Sequence, residues 1–380
     1  MKITDIKCHR LKETTLLPAI PRNLIEYTLV RVLTDEGIEG DYIIWSEVPS
    51  SRPGAVAEAL RQMRPYLLGE DPLLIERHWQ RLGKMWYAEK GPAFAAIDCC
   101  LWDIAGKKAG LPLYKLLGGA RDKILAYASG EPPKSREEKA EQAAELRERG
   151  YRASKVHPFS MEDCRAVRKA VGDEMILIHD AIFALDVPEA LRVGRVLEEL
   201  RFHWYEAPLP AEDIDGYAYL TKKLDIPVTV ELRGDYRTYL ERRAVRIFRT
   251  ISDFTGGITE MRKLATLCGM YGLNFEPHSF GGTYTQAANL HCMLSITNCE
   301  FFELPLVRGK EGAFDVGVQK GLRIDSEGYV HAPEGPGLGL MLDWDVVKAG
   351  EEYCLDCAMR RARSVRFGPF LSPSPVFEKQ

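Results

Sequence analysis

From about residue 124 the chain alternates short apolar runs with stretches long enough to be helices, and this rhythm limits the possible folds more than any other feature. The runs fall at 124–129, 151–156, 175–179, 202–205, 226–230, 245–250, 273–275 and 299–302, eight in all. Strands that alternate with helices make βα units, and βα units make parallel sheets. Eight such units over roughly 200 residues are what a closed barrel needs. An open, doubly wound sheet is the rival architecture. It fits less well, because no G-x-G-x-x-G follows the first strand.

The flanks differ from this middle. Residues 1–35 read as strands: Tyr27–Thr34 is rich in β-branched residues, and Asp35-Glu36-Gly37 is a turn signal. Residues 16–24 and 46–54 carry Pro, Ser and Gly and read as loops. In 92–109, Ile97, Cys100, Leu101, Ile104 and Ala105 share one helical face, and Gly110 and Pro112 stop the helix. After 321 the βα rhythm ends. Gly and Pro at turn positions and short β-like pieces suggest a tail that packs back on the N-terminal region. The expected division is 1–123, then a barrel over 124–320, then a returning segment over 321–380.

Composition removes several classes. A net charge of −4 with no basic run argues against a nucleic-acid partner. No stretch of about 18 apolar residues exists, so no membrane span is expected. The start, MKITDIKCHR, does not resemble a signal peptide. The nine cysteines are an odd number, and Cys99 and Cys100 are adjacent in a segment that reads as buried helix. Cysteines used as small hydrophobes in a reduced, cytoplasmic chain are the simplest expectation.

In a parallel barrel the reactive groups stand at the C-terminal ends of the strands. Three successive runs end in acids: ILIHD at Asp180, HWYE at Glu206 and IPVTVE at Glu231, spaced by 26 and 25 residues. A buried acid is costly unless it is paired or metal-bound. One such acid alone would read as solvated or ion-paired. Three in phase would repel one another, and a cation resolves the conflict. An all-oxygen donor set selects a hard ion, Mg²⁺.

These acids resemble the metal triad of the enolase superfamily, in its mandelate racemase/muconate lactonizing enzyme branch. Four other segments resemble it too. They are IDCCLWDIAGKKAGLPLYKLLGG over 97–119, WYEAPL over 204–209, GGITE over 256–260 and PGLG over 336–339. The resemblance spans nearly the whole chain. It implies an α/β fold, a (β/α)₈-type barrel with an α+β capping domain built from the N-terminal region and the C-terminal tail. It also implies homo-oligomeric assembly, a small-molecule carboxylate substrate, and Mg²⁺ lowering the energy of the ene-diolate left when the α-proton departs.

The chain departs from the family at several positions. Where the family places K-x-K, this chain has Lys155 and His157; the two point to the same side of a strand. A neutral imidazole is a reasonable base near neutral pH, so His157 is the expected acid/base, with Lys155 stabilising negative charge. His278, in FEPHS, resembles the second base. The Asp expected to orient it is replaced by Ile251, which leaves Asp253 or Glu276 as substitutes. Arg249 stands where the family often has a neutral residue. It could clamp a substrate carboxylate or neutralise Glu231 or Glu276. Arg246 and Arg233 would bring further cations toward the mouth. Glu303 would touch substrate or bond a neighbouring backbone amide. Ile182 replaces a common Asn, His179 should point outward, and Arg242-Arg243 should lie on a solvated helix face. Arg22 and Glu47 are the polar candidates in the specificity loops 14–24 and 46–54.

The leading expectation is a Mg²⁺-dependent hydro-lyase that dehydrates a sugar acid to a 2-keto-3-deoxy acid, since two His and several Arg suit a polyhydroxylated acid. An epimerase or racemase with His157 and His278 on opposite faces is the second. A barrel that binds a ligand without turning it over is the third.

Overall fold

The computed structural model describes residues 1–11, 26–46, 49–85, 91–130, 135–157, 160–232, 234–307 and 309–355. Arg22, Arg233 and Glu47 lie outside them. The chain opens with an antiparallel meander of β1 (Ile3–Leu11), β2 (Tyr27–Thr34) and β3 (Glu39–Trp45). Its second turn follows the sequence signal: Gly37 takes φ +73° and donates its N–H to Thr34 O. Helices Pro53–Leu67, Ile75–Met85 and Pro92–Ala109 follow. The last spans the expected residues and ends on Gly110 in the left-handed conformation.

The eight apolar runs then appear as strands. They are β4 (Lys123–Ser129), β5 (Ala153–Val156), β6 (Ile176–Asp180), β7 (Trp204–Glu206), β8 (Val228–Glu231), β9 (Ile247–Arg249), β10 (Asn274–Phe275) and β11 (Phe301–Pro305). All pair in parallel, in the order β11-β4-β5-β6-β7-β8-β9-β10, so the sheet curls in sequence order. Its two edges meet without a strand ladder. Phe275 N–H donates to Asn298 O at 2.7 Å. The buried Glu276 side chain accepts from the N–H groups of Glu300 (2.7 Å) and Phe301 (3.1 Å).

Alternation along these short strands stacks the interior in layers. Tyr127, Ala153, Ile178, Trp204, Ile247 and Phe301 form one apolar cluster. Trp204 sits edge-on to Tyr127 and Phe301, with ring centroids 5.6 and 5.7 Å apart. Two residues further along their strands stand Lys155, Asp180, Glu206, Arg249 and Glu303. The polar layer is thus the next register position above an aromatic floor.

The tail does return to the N-terminal sheet, but it touches the barrel first. β12 (Tyr329–His331) pairs antiparallel with the start of β4, and only then does β13 (Glu351–Tyr353) pair with β1. Between them Gly337 packs on the helix Pro92–Ala109. A Cβ on Gly106 would lie 2.6 Å from Gly337 Cα, so both positions need glycine. Leu338 N–H, next to it, donates to Asp103 at 2.8 Å. Cys8, Cys99, Cys100, Cys164, Cys268, Cys292 and Cys299 are buried free thiols, as expected of small hydrophobes. The sequence also holds one C-x-x-C, Cys354 to Cys357, whose second member lies outside the described residues. Among the described residues no helix is long and apolar enough to cross a membrane.

Candidate active site

Asp180, Glu206 and Glu231 end the adjacent strands β6, β7 and β8, with Asp180 and Glu206 directly paired in register. Strand phase therefore brings the three acids to one end of the barrel, as the sequence implies. The structure surrounds them with cations. Lys155 Nζ lies 3.2 Å from Asp180 Oδ2, 3.4 Å from Glu206 Oε1 and 2.9 Å from Glu303 Oε1. His157 Nε2 lies 3.3 Å from Asp180 Oδ2. His278 Nδ1 lies 3.0 Å from Glu231 Oε2, though not aligned for a hydrogen bond, and its Nε2 is 3.6 Å from Glu303.

The charges set one another. Burial works against a charged Lys155, yet Glu206, Glu303 and Asp180 hold its pKa well above the usual lysine range. Burial would raise Asp180, but Lys155 and His157 outweigh it and hold the carboxyl low. Glu303 is also held low against its burial, by Lys155, His278 and Arg249. Lys155 is therefore a fixed cation and these acids are carboxylates.

Three carboxylates on neighbouring strands are the donor chemistry a hard divalent ion takes. Asp180, Glu206 and Glu231 fit it by position and by atom type. Their side chains are turned to Lys155, His157, Arg249 and His278. Among the described residues no three acid, His or Cys side chains are arranged as a metal cage.

His157 and His278 flank the acids from opposite sides. His157 follows β5, one strand before Asp180, and His278 follows β10, two strands after Glu231. His278 meets Glu231 and Glu303. Neither substitute suggested by the sequence is its partner. Asp253 accepts from Tyr42 (2.5 Å) and Thr285 (2.9 Å), toward the N-terminal sheet, and Glu276 is engaged at the barrel seam. Strand phase explains the difference: the acid facing His278 comes from β8, across the mouth.

Arg249 and Glu303 are both wholly buried. Arg249 Nη2 donates to Tyr127 Oη (3.0 Å) and Glu303 Oε2 (3.1 Å), and Nε lies 3.4 Å from Glu206 Oε1. Its carboxylates are Glu206 and Glu303, where the sequence suggested Glu231 or Glu276. Glu303 also accepts from Ser279 N–H at 3.0 Å, the backbone contact named as its alternative. Arg246 is not at the mouth. Three residues before Arg249, it faces away and donates to the carbonyls of Thr221, in the last turn of the helix Ile214–Lys223, and of Leu224 and Asp225 just after it. It satisfies acceptors that a helix end leaves open. His179 points outward as expected, packed on Tyr205 and Phe202, with burial pushing its pKa to about 3. Arg242 is exposed and paired with Asp215.

Two contributors escaped the sequence reading. Trp204 Nε1–H donates to Glu206 Oε2 at 3.3 Å, and Tyr127 supports Arg249. Both lie one layer beneath strand-end residues, so stepping back two residues from each end would have found them.

The family described as "Enolase C-terminal domain-like" matches residues 138–346. The one described as "Mandelate racemase / muconate lactonizing enzyme, N-terminal domain" matches residues 20–118. An arabinonate dehydratase of Saccharolobus solfataricus is 33% identical over 295 residues, 73% of this chain and 78% of that protein. A D-galactarolactone cycloisomerase of Agrobacterium fabrum is 30% identical, over 91% of this chain and 98% of that protein. Among solved structures, D-glucarate dehydratase from Agrobacterium tumefaciens complexed with magnesium superposes with a TM-score of 0.81. It is 30% identical, and the match covers 92% of this chain and 98% of that one.

Proposed function

Because the chain belongs to the mandelate racemase/muconate lactonizing enzyme family of the enolase superfamily, we propose that it is a hydro-lyase that dehydrates a sugar acid to a 2-keto-3-deoxy acid. One observation carries this reading: two histidines stand on opposite flanks of three strand-end carboxylates, with a fixed lysine cation between them. The relatives named for sugar-acid chemistry support the substrate class.

Asp180, Glu206 and Glu231 would hold Mg²⁺, with Asp180 and Glu206 turning away from Lys155. When bound, the ion supplies Lewis-acid stabilisation of the charge that grows on the substrate carboxylate. The remaining steps belong to side chains. His157 Nε2 takes the α-proton, so the Cα–H bond breaks and its electron pair moves toward the carboxylate. Lys155 Nζ, held cationic, faces that charge. His278 then gives a proton to the β-hydroxyl, the Cβ–O bond breaks and water leaves. The resulting enol takes up a proton at Cβ and loses its hydroxyl proton to solvent, which makes the C=O of the 2-keto acid. A general acid or base contributes about 10²–10⁴-fold, and one His on each flank lets the two proton transfers proceed from separate groups.

A screen of acid sugars with purified protein and Mg²⁺, read as 2-keto-acid formation, tests this. One substrate should give product, and Glu206→Gln should abolish it. No keto acid across a broad library, with Mg²⁺ shown to bind, would contradict the reading. The flanking His pair also favours a second reading, an epimerase that returns the proton from the opposite face. Deuterium uptake at Cα with inverted configuration and no keto acid would select it.

A further inference from the structure

Arg249 is a cation of the polar layer to which the proposed mechanism gives no role. Its guanidinium is wholly buried and stays charged in any protein setting. Among the described residues, the carboxylates within ion-pair reach are Glu303 at 3.1 Å and Glu206 at 3.4 Å. Nη2 is bonded to Glu303 and Tyr127, whereas Nε and Nη1 have no hydrogen-bond partner. Unsatisfied donors on a buried cation are costly. Glu303 Oε2 already accepts from Ser279 N–H and Arg249 Nη2, and its Oε1, without a hydrogen-bond partner, is the oxygen 2.9 Å from Lys155 Nζ. Glu206 is the carboxylate beside Nε: its Oε1 lies 3.4 Å away, so the side-on fork of the guanidinium spans two acids, Nε toward Glu206 and Nη2 on Glu303.

Glu206 is also the central one of the three strand-end acids. The same carboxylate can serve the guanidinium fork or a divalent cation, and a cation bound there would repel the guanidinium. We infer that Arg249 is a resident counter-ion that competes with the divalent cation for Glu206. It weakens the binding of that ion and couples its arrival to the release of Glu206 from the arginine. This rests on the metal reading of Asp180, Glu206 and Glu231. It also changes the role of Arg249, from a clamp on substrate to a positioning residue that acts through Glu206.

The test is calorimetric titration of the full chain with MgCl₂, alongside thermal unfolding in EDTA and in saturating Mg²⁺. A fixed positive charge a few ångströms from the ion costs more than a factor of ten at moderate dielectric. Arg249→Gln should therefore bind Mg²⁺ at least tenfold more tightly than the unchanged protein. Its Tm should rise more on adding Mg²⁺, because bound ion stabilises in proportion to its affinity. Arg249→Lys keeps a charge but lacks the fork that holds Glu206 and Glu303 together, and it should tighten binding by a few-fold. If Arg249→Gln does not fold, this second variant decides. Equal or weaker Mg²⁺ binding in the folded variants overturns the competition and leaves the metal reading standing. No heat and no Tm shift in any of the proteins overturns both.

Discussion

Ile182 carries backbone strain where a site needs it. The residue takes φ +52° and its neighbour Phe183 φ +58°, a region that disfavours β-branched side chains most of all. Three contacts hold the turn. Ile182 N–H donates to Asp180 Oδ1 (3.0 Å), Ala181 N–H to Glu206 O (3.0 Å) and Phe183 N–H to Ala207 O (2.7 Å). The strain therefore sits on the segment that orients Asp180 and ties β6 to the end of β7. The Ile182 side chain is 51% exposed and gives little packing in return. Asn tolerates this conformation, so Ile182→Asn should gain about 1 kcal/mol of stability, read as a higher midpoint in urea. At this scale strand phase, a local property, told that Lys155, Asp180, Glu206, Arg249 and Glu303 share one layer, and the expectation for Arg246, which is out of that phase, failed. Strand phase did not tell which partner each one meets. Glu231 on His278 and Glu206 on Arg249 each join strands with one other strand between them, and only the curl of the sheet turns their side chains toward one another.

The strands show why the fold was readable and where its edges were not. Apolar runs bounded by turn residues locate all eight strands, since a strand buried on both faces needs such a run. β10 is cut to two ladder residues, Asn274–Phe275, because beyond it a side chain replaces the ladder. Glu276 closes the seam with both oxygens accepting backbone N–H groups, from Glu300 and Phe301. An amide there would turn one acceptor into a donor facing a donor. Glu276→Gln should cost about 1–3 kcal/mol, measured by denaturant unfolding; an unchanged midpoint would mean that the seam is held elsewhere. Gly257 opens the helix Gly257–Met270 at φ +85°, and a Cβ there would come within 2.4 Å of Asp98 Oδ2. Gly257→Ala should lose about 1–3 kcal/mol through backbone strain alone, before the displacement of Asp98 is added. Glycine at this point was visible in the sequence as GGITE; the packing that requires it was not.

At the scale of the molecule, Asp98 joins the helix Pro92–Ala109 to the barrel. It accepts from Thr259 N–H (2.9 Å) and Thr259 Oγ1–H (2.6 Å), and Trp102 Nε1–H donates to the same hydroxyl at 2.8 Å. Burial pushes the Asp98 carboxyl up to about 7. The folded chain therefore holds this proton more tightly than the unfolded chain, whose Asp titrates near 4. Between about pH 4 and pH 7 stability from this group falls as pH rises, since the native state binds the extra proton. Asp98→Asn removes the titration. The stability of the unchanged protein relative to this variant should drop by on the order of 2–4 kcal/mol from pH 4 to pH 7, read from urea midpoints at each pH. A flat difference would show that Asp98 stays ionised.

The central claim, that His157 and His278 carry separate proton transfers from opposite flanks, is tested most directly by solvent exchange in D₂O. The substrate found in the acid-sugar screen would be incubated with Mg²⁺ and with His157→Asn or His278→Asn, following deuterium at Cα and keto acid together. His278→Asn should lose dehydration by about 10²–10⁴-fold while still washing deuterium into the remaining substrate. His157→Asn should lose both signals. Exchange that survives in His157→Asn, or vanishes with dehydration in His278→Asn, would contradict the assignment.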